Sequence, residues 1–362
     1  METHLSGLWS RDVMVTTNCD EPAANQEDSS GFPLEAYQFG DGVLEISDRY
    51  RGFQDRFHDV YGDCSIQAPF PQEIPRIRCT LTTTRLPRVS RVEFEDPEPL
   101  DALAFIRAMF PSSDYSQPSA TVSGWRFLVH TDSPYRPVIG FRGTQVLVDR
   151  RMRWQPFVTN LAVQRLLRLQ RDMLFFHAAA IAVSGSGLLL VGDKGAGKTT
   201  TSLFLAARGH QLLSDEIGAV CSSSREVVPF RRALSIRRGP LPESVRERLR
   251  QESFSSELVL DGTIRLRVPI GSLFPLDPAP RVPLRCIFFL RGFADAPAVQ
   301  RCLLERKHVS WLRLLGCCLY GASHKKKLLQ LLTVLSSCRV YELIAGPPQE
   351  TAELVEKAME ES

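Results

Sequence analysis

The residues best suited to chemistry form a glycine-rich run from Gly192 to Thr199, Gly-Asp-Lys-Gly-Ala-Gly-Lys-Thr. The run fits the GxxxxGK[ST] pattern at every specified position and stands between an apolar segment and a predicted helix. Glycines let a backbone wrap around phosphate oxygens, and the start of the helix adds the positive end of its dipole. We therefore predict a phosphate-binding loop, in which Lys198 reaches the β and γ phosphates and the Thr199 hydroxyl binds Mg²⁺. The residues predicted to hold the nucleotide are Gly192, Asp193, Lys194, Gly195, Ala196, Gly197, Lys198, Thr199 and Thr200.

A pair of acids, Asp215-Glu216, follows the next apolar segment, Leu212-Leu213. Ligands of α/β proteins bind where strands end at their carboxyl termini. One carboxylate can hold the metal, directly or through water, while the other takes or orients the proton of an attacking hydroxyl. Alone, such a pair more often caps a helix or closes a turn. Its position after the loop favours the catalytic interpretation.

The elements that must position these groups follow from local patterns. Two apolar strands joined by hairpin-turn residues precede the loop, and a helix ended by a glycine follows it, leading into a short strand. The predicted elements are the strands Ala178–Val183 and Leu188–Val191 around the turn Ser184–Gly187, the helix Thr199–Arg208 before Gly209, and the strand Gln211–Leu213. The order is strand, loop, helix, strand.

The segment from His177 to Val220 resembles the catalytic domain of HPr kinase/phosphorylase and its stand-alone relatives. In that family a His opens the hairpin before the loop, Arg-Gly-His follows the helix after the loop, and a pair of acids closes the next strand. The matching positions here are His177, Arg208-Gly209-His210 and Asp215-Glu216.

The resemblance implies a role for each matching residue. Asp215 corresponds to the catalytic acid/base of the family and Glu216 to its neighbour at the metal site. Lys198 and Thr199 keep their loop roles.

Three further residues stay open to more than one interpretation. The segment Pro229–Ile236 is similar to a Pro-x-x-Arg-x-x-Ser stretch of the relatives, where Arg232 could neutralise the transferring phosphate. His177 is either a site residue near the phosphates or a histidine satisfied at the start of a strand. His210 is expected to cap the end of the preceding helix, because a cation suits the negative end of the dipole.

The chain departs from the family at specific positions. Lys194 stands where HPr kinase/phosphorylase has a Ser in the loop, which argues against phosphorylase activity. Glu216 replaces the second Asp of the pair. The Glu-x-Arg-Gly run of the HPr-recognition stretch is not evident, so HPr itself is not the expected substrate. Some stand-alone relatives phosphorylate a serine of a lasso-peptide precursor, and the resemblance favours a substrate of that kind.

The 362 residues are sufficient for two domains. Residues 1–31 are predicted to be a flexible segment, since their second half is polar without apolar periodicity. A β-rich domain is predicted for residues 32–155, with alternating stretches between Arg76 and Arg153 and one helix near Leu100 to Met109. An amphipathic helix over Val158–Arg171 then opens the second domain, residues 156–362. The fold class is α/β, and the resemblance implies a P-loop kinase domain of the HPr kinase/PEP carboxykinase-like type.

Composition restricts the class of protein. A hydrophobic content of 43% with 23% charged residues is that of a soluble globular protein. The nine cysteines are odd in number without a CxxC pair, a pattern typical of reduced thiols in the cytoplasm. The sequence shows neither an apolar run long enough to span a bilayer nor a nucleic-acid module, so neither a membrane nor a nucleic acid is an expected partner.

The favoured hypothesis is a kinase that moves the γ-phosphoryl of ATP, with Mg²⁺, to a hydroxyl, expected to be a serine of a peptide or small protein. A small-molecule kinase for an amino acid or sugar is a second possibility, and a nucleotide-binding regulatory protein without transferase activity is a third. The intact Lys198, Thr199 and Asp215 argue against the third. The resemblance also allows a homo-oligomer, although no interface signature is visible.

Overall fold

The structure, a computed structural model, describes residues 34–48, 52–70, 74–84, 88–95, 115–116, 124–130, 138–150, 154–237, 239–258, 264–276, 281–302, 318–319 and 324–361. The predicted flexible segment 1–31 and the predicted helix near Leu100 to Met109 lie outside these residues.

The described residues form a mixed α/β structure with several sheets. Its strands are β1 (Leu34–Phe39), β2 (Gly42–Asp48), β3 (Ser65–Ile66), β4 (Arg76–Thr83), β5 (Val89–Glu95), β6 (Tyr115–Ser116), β7 (Arg126–His130), β8 (Val138–Arg142), β9 (Gln145–Asp149), β10 (Met173–Phe176), β11 (Ala178–Val183), β12 (Ser186–Val191), β13 (Gln211–Ser214), β14 (Gly218–Cys221), β15 (Glu226–Val228), β16 (Leu234–Ile236), β17 (Ser255–Leu258), β18 (Ile264–Val268), β19 (Val282–Phe293), β20 (Ala298–Arg301), β21 (Cys318–Leu319) and β22 (Arg339–Ala345). Its α-helices are α1 (Gly52–Tyr61), α2 (Trp154–Leu169), α3 (Lys198–Ala207), α4 (Glu243–Gln251), α5 (Ile270–Leu273), α6 (His324–Ser336) and α7 (Pro348–Glu360). A 3₁₀ turn covers Gly62–Cys64.

Residue contacts group the chain into two compact units. The first contains the residues up to Glu35 with Leu44–Gln54 and Arg76–Ala162, and the second contains Ala36–Val43, Asp55–Pro75 and Val163–Ser362. The division differs from the single boundary expected near residue 155, because two N-terminal segments join the C-terminal unit. Aromatic packing explains this. The ring centroids of Phe39 and Tyr61 lie 4.9 Å apart, and that of Phe39 lies 5.2 Å from Phe230.

The first unit is built mostly of strands in its described part. Its strands follow the order β2-β4-β5-β9-β8-β7-β6 in one sheet. Along β5, Val92 and Phe94 are buried whereas Arg91 and Glu93 are exposed. This period of two is the pattern of a sheet with one covered face.

The second unit contains a sheet in the order β13-β11-β12-β19-β15-β14-β10-β21, in which β22 also pairs with β19 and β20 with β22. β12 runs parallel to β19, whereas β11 runs antiparallel to both β12 and β13. β13 is therefore parallel to β12, and the carboxyl ends of these strands lie at one edge of the sheet. A separate three-stranded sheet has the order β16-β18-β17.

Both faces of the larger sheet are covered. Alternate residues of β11, such as Ala179 and Ile181, pack in one apolar cluster with side chains of α3 and α7. Their neighbours, such as Ala178 and Ala180, pack in a second cluster with side chains of α6. Strands covered on both faces carry continuous apolar runs, which is why β11 has the sequence Ala-Ala-Ala-Ile-Ala-Val.

Several helix ends differ from the predicted ones. α3 starts and ends one residue earlier than predicted, with Gly209 after it at φ +96°. α2 begins at Trp154 because a proline, Pro156, is tolerated in the first turn of a helix. α6 begins at His324, so residues 324–327 form its first turn.

The turn between β11 and β12 has positive φ at both central residues, +48° at Ser184 and +76° at Gly185. This is the type I′ geometry that suits the twist of a two-residue hairpin. The predicted hairpin is thus present, with β12 starting at Ser186.

We predict opposite effects for two substitutions in this turn. Gly185→Ala should lower the free energy of unfolding by about 1–2 kcal/mol, because a Cβ disfavours the left-handed region. Ser184→Gly should leave it unchanged or raise it by about 0.5 kcal/mol, since it relieves the same strain. Chemical denaturation of the two variants checks this. Equal losses in both would contradict the turn geometry.

Candidate active site

The glycine-rich loop leaves β12 at Val191 and enters α3 at Lys198. Gly195 and Gly197 have φ values of +87° and +97°, which side-chain-bearing residues rarely adopt. A Cβ added at Gly195 would meet no described atom within 4 Å, so this stretch of backbone is open on that side. The loop thus presents backbone where the sequence pattern requires it to approach a phosphate group.

Lys198 is the first residue of α3 and is almost fully buried, with 8% exposure. Its Nζ donates hydrogen bonds to the carbonyl oxygens of Gly192, at 2.6 Å, and Asp193, at 3.1 Å. These bonds draw the ammonium group across the loop. The positive charge of Lys198 is therefore held within the loop.

Asp215 directly follows β13, and its side chain meets the first turn of α3. The hydroxyl of Thr199 donates a hydrogen bond to Oδ2 of Asp215 at 3.1 Å. Oδ1 is buried without a hydrogen-bond partner among the described residues. A buried carboxylate oxygen without a partner is costly, which makes it a candidate for contact with a bound molecule.

Burial raises the pKa of Asp215 to about 6. The hydrogen bond from Thr199 and the positive charges of Lys198 and Arg232 act in the opposite direction but do not cancel this effect. A carboxylate with a pKa near 6 is ionised at neutral pH, yet it is a stronger base than an exposed aspartate. Asp215 therefore has the properties of a general base.

The turn after β13 is held by Ser214. Its hydroxyl donates to the carbonyl oxygen of Ile217 at 2.6 Å and accepts the N–H of Ile217 at 3.2 Å. This two-way contact closes a turn over Asp215 and Glu216. The acid pair is therefore part of a fixed turn, as one interpretation of the sequence expected, and Asp215 is also in contact with the loop helix.

Glu216 forms an ion pair with Arg232. The guanidinium carbon of Arg232 also lies 6.0 Å from the centre of the Tyr61 ring, within cation–π range. Both residues were predicted to belong to the site, one as a metal ligand and the other as a phosphate neighbour. The structure joins them to each other.

His177 lies between β10 and β11. Burial is the main cause that lowers its pKa, with further contributions from the positive charges of Lys198 and Arg232. The imidazole is consequently neutral at pH 7. His177 lines the same pocket as Lys198 and Asp215, and its proximity to bound phosphates stays a prediction.

A pocket of about 270 Å³ contains most of the predicted site residues. Those that line it are His177, Lys194, Gly195, Gly197, Lys198, Thr199, Thr200, Asp215 and Glu216. Four predicted residues, Gly192, Asp193, Ala196 and Arg232, are not part of the lining. Gly192 and Asp193 contribute carbonyl oxygens to Lys198 instead, and Arg232 contributes through Glu216.

The residues that form the rest of the pocket wall were not predicted from the sequence. It consists of Leu203, Ser235, Ile236, Arg237, Gly239, Pro240 and Leu241. Most of it comes from β16 and the segment that follows. The similarity at Pro229–Ile236 pointed to this strand, and the Gly-Pro pair after it is a turn signal, but neither indicated which residues face the loop.

The Arg-Gly-His sequence lies away from this pocket. Arg208 donates to both carboxylate oxygens of Glu356 at 2.7 Å, and Nε2 of His210 lies 2.7 Å from Glu356 Oε1. The backbone N–H of His210, rather than its side chain, closes the end of α3 by donating to Leu205 at 3.3 Å. The His210 imidazole therefore contacts Glu356 of α7 rather than capping the end of α3, and Arg208 forms an ion pair with the same carboxylate.

Known proteins with sequence similarity to this chain include HPr kinase/phosphorylases from two bacteria. HPr kinase/phosphorylase of Latilactobacillus sakei is 36% identical over 66 residues, which is 16% of this chain and 21% of that protein. The same enzyme of Treponema pallidum is 38% identical over 68 residues, 17% of this chain and 21% of that protein. A segment of the chain is therefore similar in sequence to HPr kinase/phosphorylase. The resemblance predicted from the sequence is confirmed, although the chain spans only about a fifth of the length of these relatives.

Two other comparisons complete this description. The solved structure of the Hpr(Ser) kinase/phosphatase from Coxiella burnetii matches 52% of this chain and 94% of its own, with a TM-score of 0.26 and 14% identity. No family model matches the sequence.

Within the described ranges, no group of three or more His, Cys, Asp or Glu side chains is arranged to hold a metal ion. None of the described helices combines the length and the apolarity needed to cross a bilayer.

We predict that Asp215→Asn stabilises the fold at alkaline pH. Because the folded pKa of about 6 lies above the ordinary aspartate value of 3.8, the folded protein binds the proton more tightly, and wild-type stability falls as pH rises through this window. The variant should gain about 1–3 kcal/mol at pH 8 and nothing below pH 4.

Thermal denaturation from pH 4 to pH 8 measures this difference. Asp295 is exposed, so Asp295→Asn serves as the control for the general effect of removing one negative charge. A loss of stability in Asp215→Asn at pH 8 would show that Lys198 and Arg232 outweigh burial.

Proposed function

We propose that the chain is an ATP-dependent kinase that transfers the γ-phosphoryl group to a hydroxyl, a serine of a peptide or small protein. The observation that carries this proposal is the Thr199–Asp215 contact. It joins the loop residue that the motif assigns to Mg²⁺ with a buried carboxylate suited to proton abstraction. The matches to HPr kinase/phosphorylase support the same class of reaction.

The residues present fit a nucleotide with its metal. Open backbone at Gly195 and the charge of Lys198 suit phosphate oxygens. Thr199 can keep donating its proton to Asp215 while a lone pair of its oxygen binds Mg²⁺. Glu216 has two oxygens, so one can hold Arg232 while the other binds the metal or its water. When bound, Mg²⁺ neutralises charge on the transferring phosphate.

Asp215 performs the proton step. It accepts the proton of the acceptor hydroxyl as the new O–P bond forms, and the bond between the γ-phosphorus and its bridging oxygen breaks to release ADP. Lys198 stabilises the charge that develops on the phosphate oxygens. The neutral His177 avoids adding a second cation beside Lys198 and can hydrogen-bond to substrate or solvent.

A peptide acceptor is supported by the edge of the small sheet. In the described part of the chain, β16 pairs with β18 alone, and its residues Ser235 and Ile236 line the pocket. An extended peptide can add to such an edge through main-chain hydrogen bonds. Arg237, also in the lining, would favour acidic residues near the acceptor serine.

We predict that Asp215→Asn retains ATP binding but loses at least about 100-fold in kcat, because an amide cannot accept the proton. Lys198→Ala should instead lose most of the ATP affinity. Wild-type activity should rise with pH through about 6, as Asp215 ionises. Calorimetry measures the ATP affinity, which should depend on Lys198. A pH–rate profile measures how turnover depends on the ionisation of Asp215. Near-normal turnover by folded Asp215→Asn would remove Asp215 from the mechanism.

The acceptor class has its own test. Incubation with ATP, Mg²⁺ and serine-containing peptides should add one phosphoryl group, detected by intact mass, and the matched Ser→Ala peptides should not react. The product should resist hydroxylamine, as a phosphomonoester does. Acid-labile phosphate on a histidine, or hydroxylamine-labile phosphate on a carboxylate, would show that the acceptor is not a hydroxyl.

A further inference from the structure

The end of β19 contains an irregularity next to the loop. Leu290 pairs with Leu343 of β22, and Gly292 pairs with the next residue, Ile344, so that Arg291 is an extra residue in the strand. Such a bulge changes the face on which the following side chain lies. Phe293 pairs with Ala345 and therefore lies on the same face as Leu343, the face covered by α3 and α7.

Phe293 consequently lies against the glycine-rich loop. A Cβ built on Gly197 would be 3.4 Å from Cε1 and Cζ of the Phe293 ring. The side chain is nevertheless 66% exposed, among the most exposed large apolar side chains of the described residues. Single exposed apolar residues are common, but this one is placed by a bulge beside a site.

The Phe293 ring and Asp215 lie on opposite sides of β12, the strand that leads into the loop. The sheet order is β13, β11, β12, β19, with Asp215 after β13 and Phe293 at the end of β19. Because β12, β13 and β19 all run in the same direction, these ends share one edge of the sheet. A nucleotide bound to the loop with its γ-phosphate near Asp215 would have Phe293 on the other side of the loop, at the same edge of the sheet.

The segment after Phe293 is fixed by two contacts. The N–H of Ala294 donates to the carbonyl oxygen of Ala345 at 2.8 Å. Pro297 packs on Gly346 so closely that a Cβ there would lie 2.5 Å from the Pro297 nitrogen. The ring is thus carried on an anchored strand end, which reduces the entropy lost when a ligand covers it.

We propose that Phe293 is the aromatic wall on which the base of the loop-bound nucleotide stacks. The inference rests on the proposed nucleotide binding and adds a residue that selects for the base. Stacking suits the exposed face of an aromatic ring, and removal of such a ring costs roughly 10-fold or more in affinity.

The test compares two probes, ATP and inorganic tripolyphosphate, each with Mg²⁺, by calorimetry on the full chain. Phe293→Ala should bind ATP roughly 10-fold more weakly, with tripolyphosphate affinity unchanged. The control Leu329→Ala removes a side chain that is 67% exposed on α6 and should change neither. In Phe293→Trp, ATP should alter the indole fluorescence, whereas tripolyphosphate should not.

Each other result would overturn the inference in a distinguishable way. Equal losses for both probes would mean that the ring supports the loop, and unchanged ATP affinity would place the base elsewhere. In both cases, ATP binding by the wild type that depends on Lys198 would leave the proposed function intact. Absence of ATP binding in the wild type would overturn the proposed function and this inference together.

Discussion

Asp215 is a carboxylate that the fold buries almost completely, with 3% exposure, and supports with a single described hydrogen bond to one of its oxygens. Burial of a charge costs free energy, which is why the pKa of Asp215 is raised. Thr199 at the start of α3 and the turn closed by Ser214 hold the carboxylate in place. The site therefore depends on α3 and β13 keeping their positions against β11.

The positive charges around Asp215 do not cancel the effect of burial on its pKa. Lys198 is drawn toward the carbonyl oxygens of the loop, and Arg232 is paired with Glu216. Both cations still favour the ionised form of Asp215, yet its pKa remains above the ordinary value. If Glu216 did not take up the charge of Arg232, the guanidinium would be available to Asp215 and would weaken it as a base.

The elements that lie close together along the chain could be predicted from the sequence. The hairpin, the loop, α3 and β13 follow one another within a short stretch, and each has its own signal in glycine placement or apolar pattern. Contacts between distant segments were not predictable. The packing of Phe39 on Phe230, the pairing of His210 with Glu356 and the placement of Phe293 by a bulge all depend on tertiary structure. The same limit applies to Arg237, whose position in the wall is set by the path of the chain after β16.

Every residue of the pocket lining comes from one continuous stretch, which begins at His177 and ends at Leu241. A segment of this kind can be inherited as a single piece, with its strands, loop and acid pair in working register. The similarity to HPr kinase/phosphorylase extends over 66 to 68 residues in the two relatives compared, a length comparable to that stretch. Substitutions in the rest of the chain can then accumulate without changing any residue of the pocket lining.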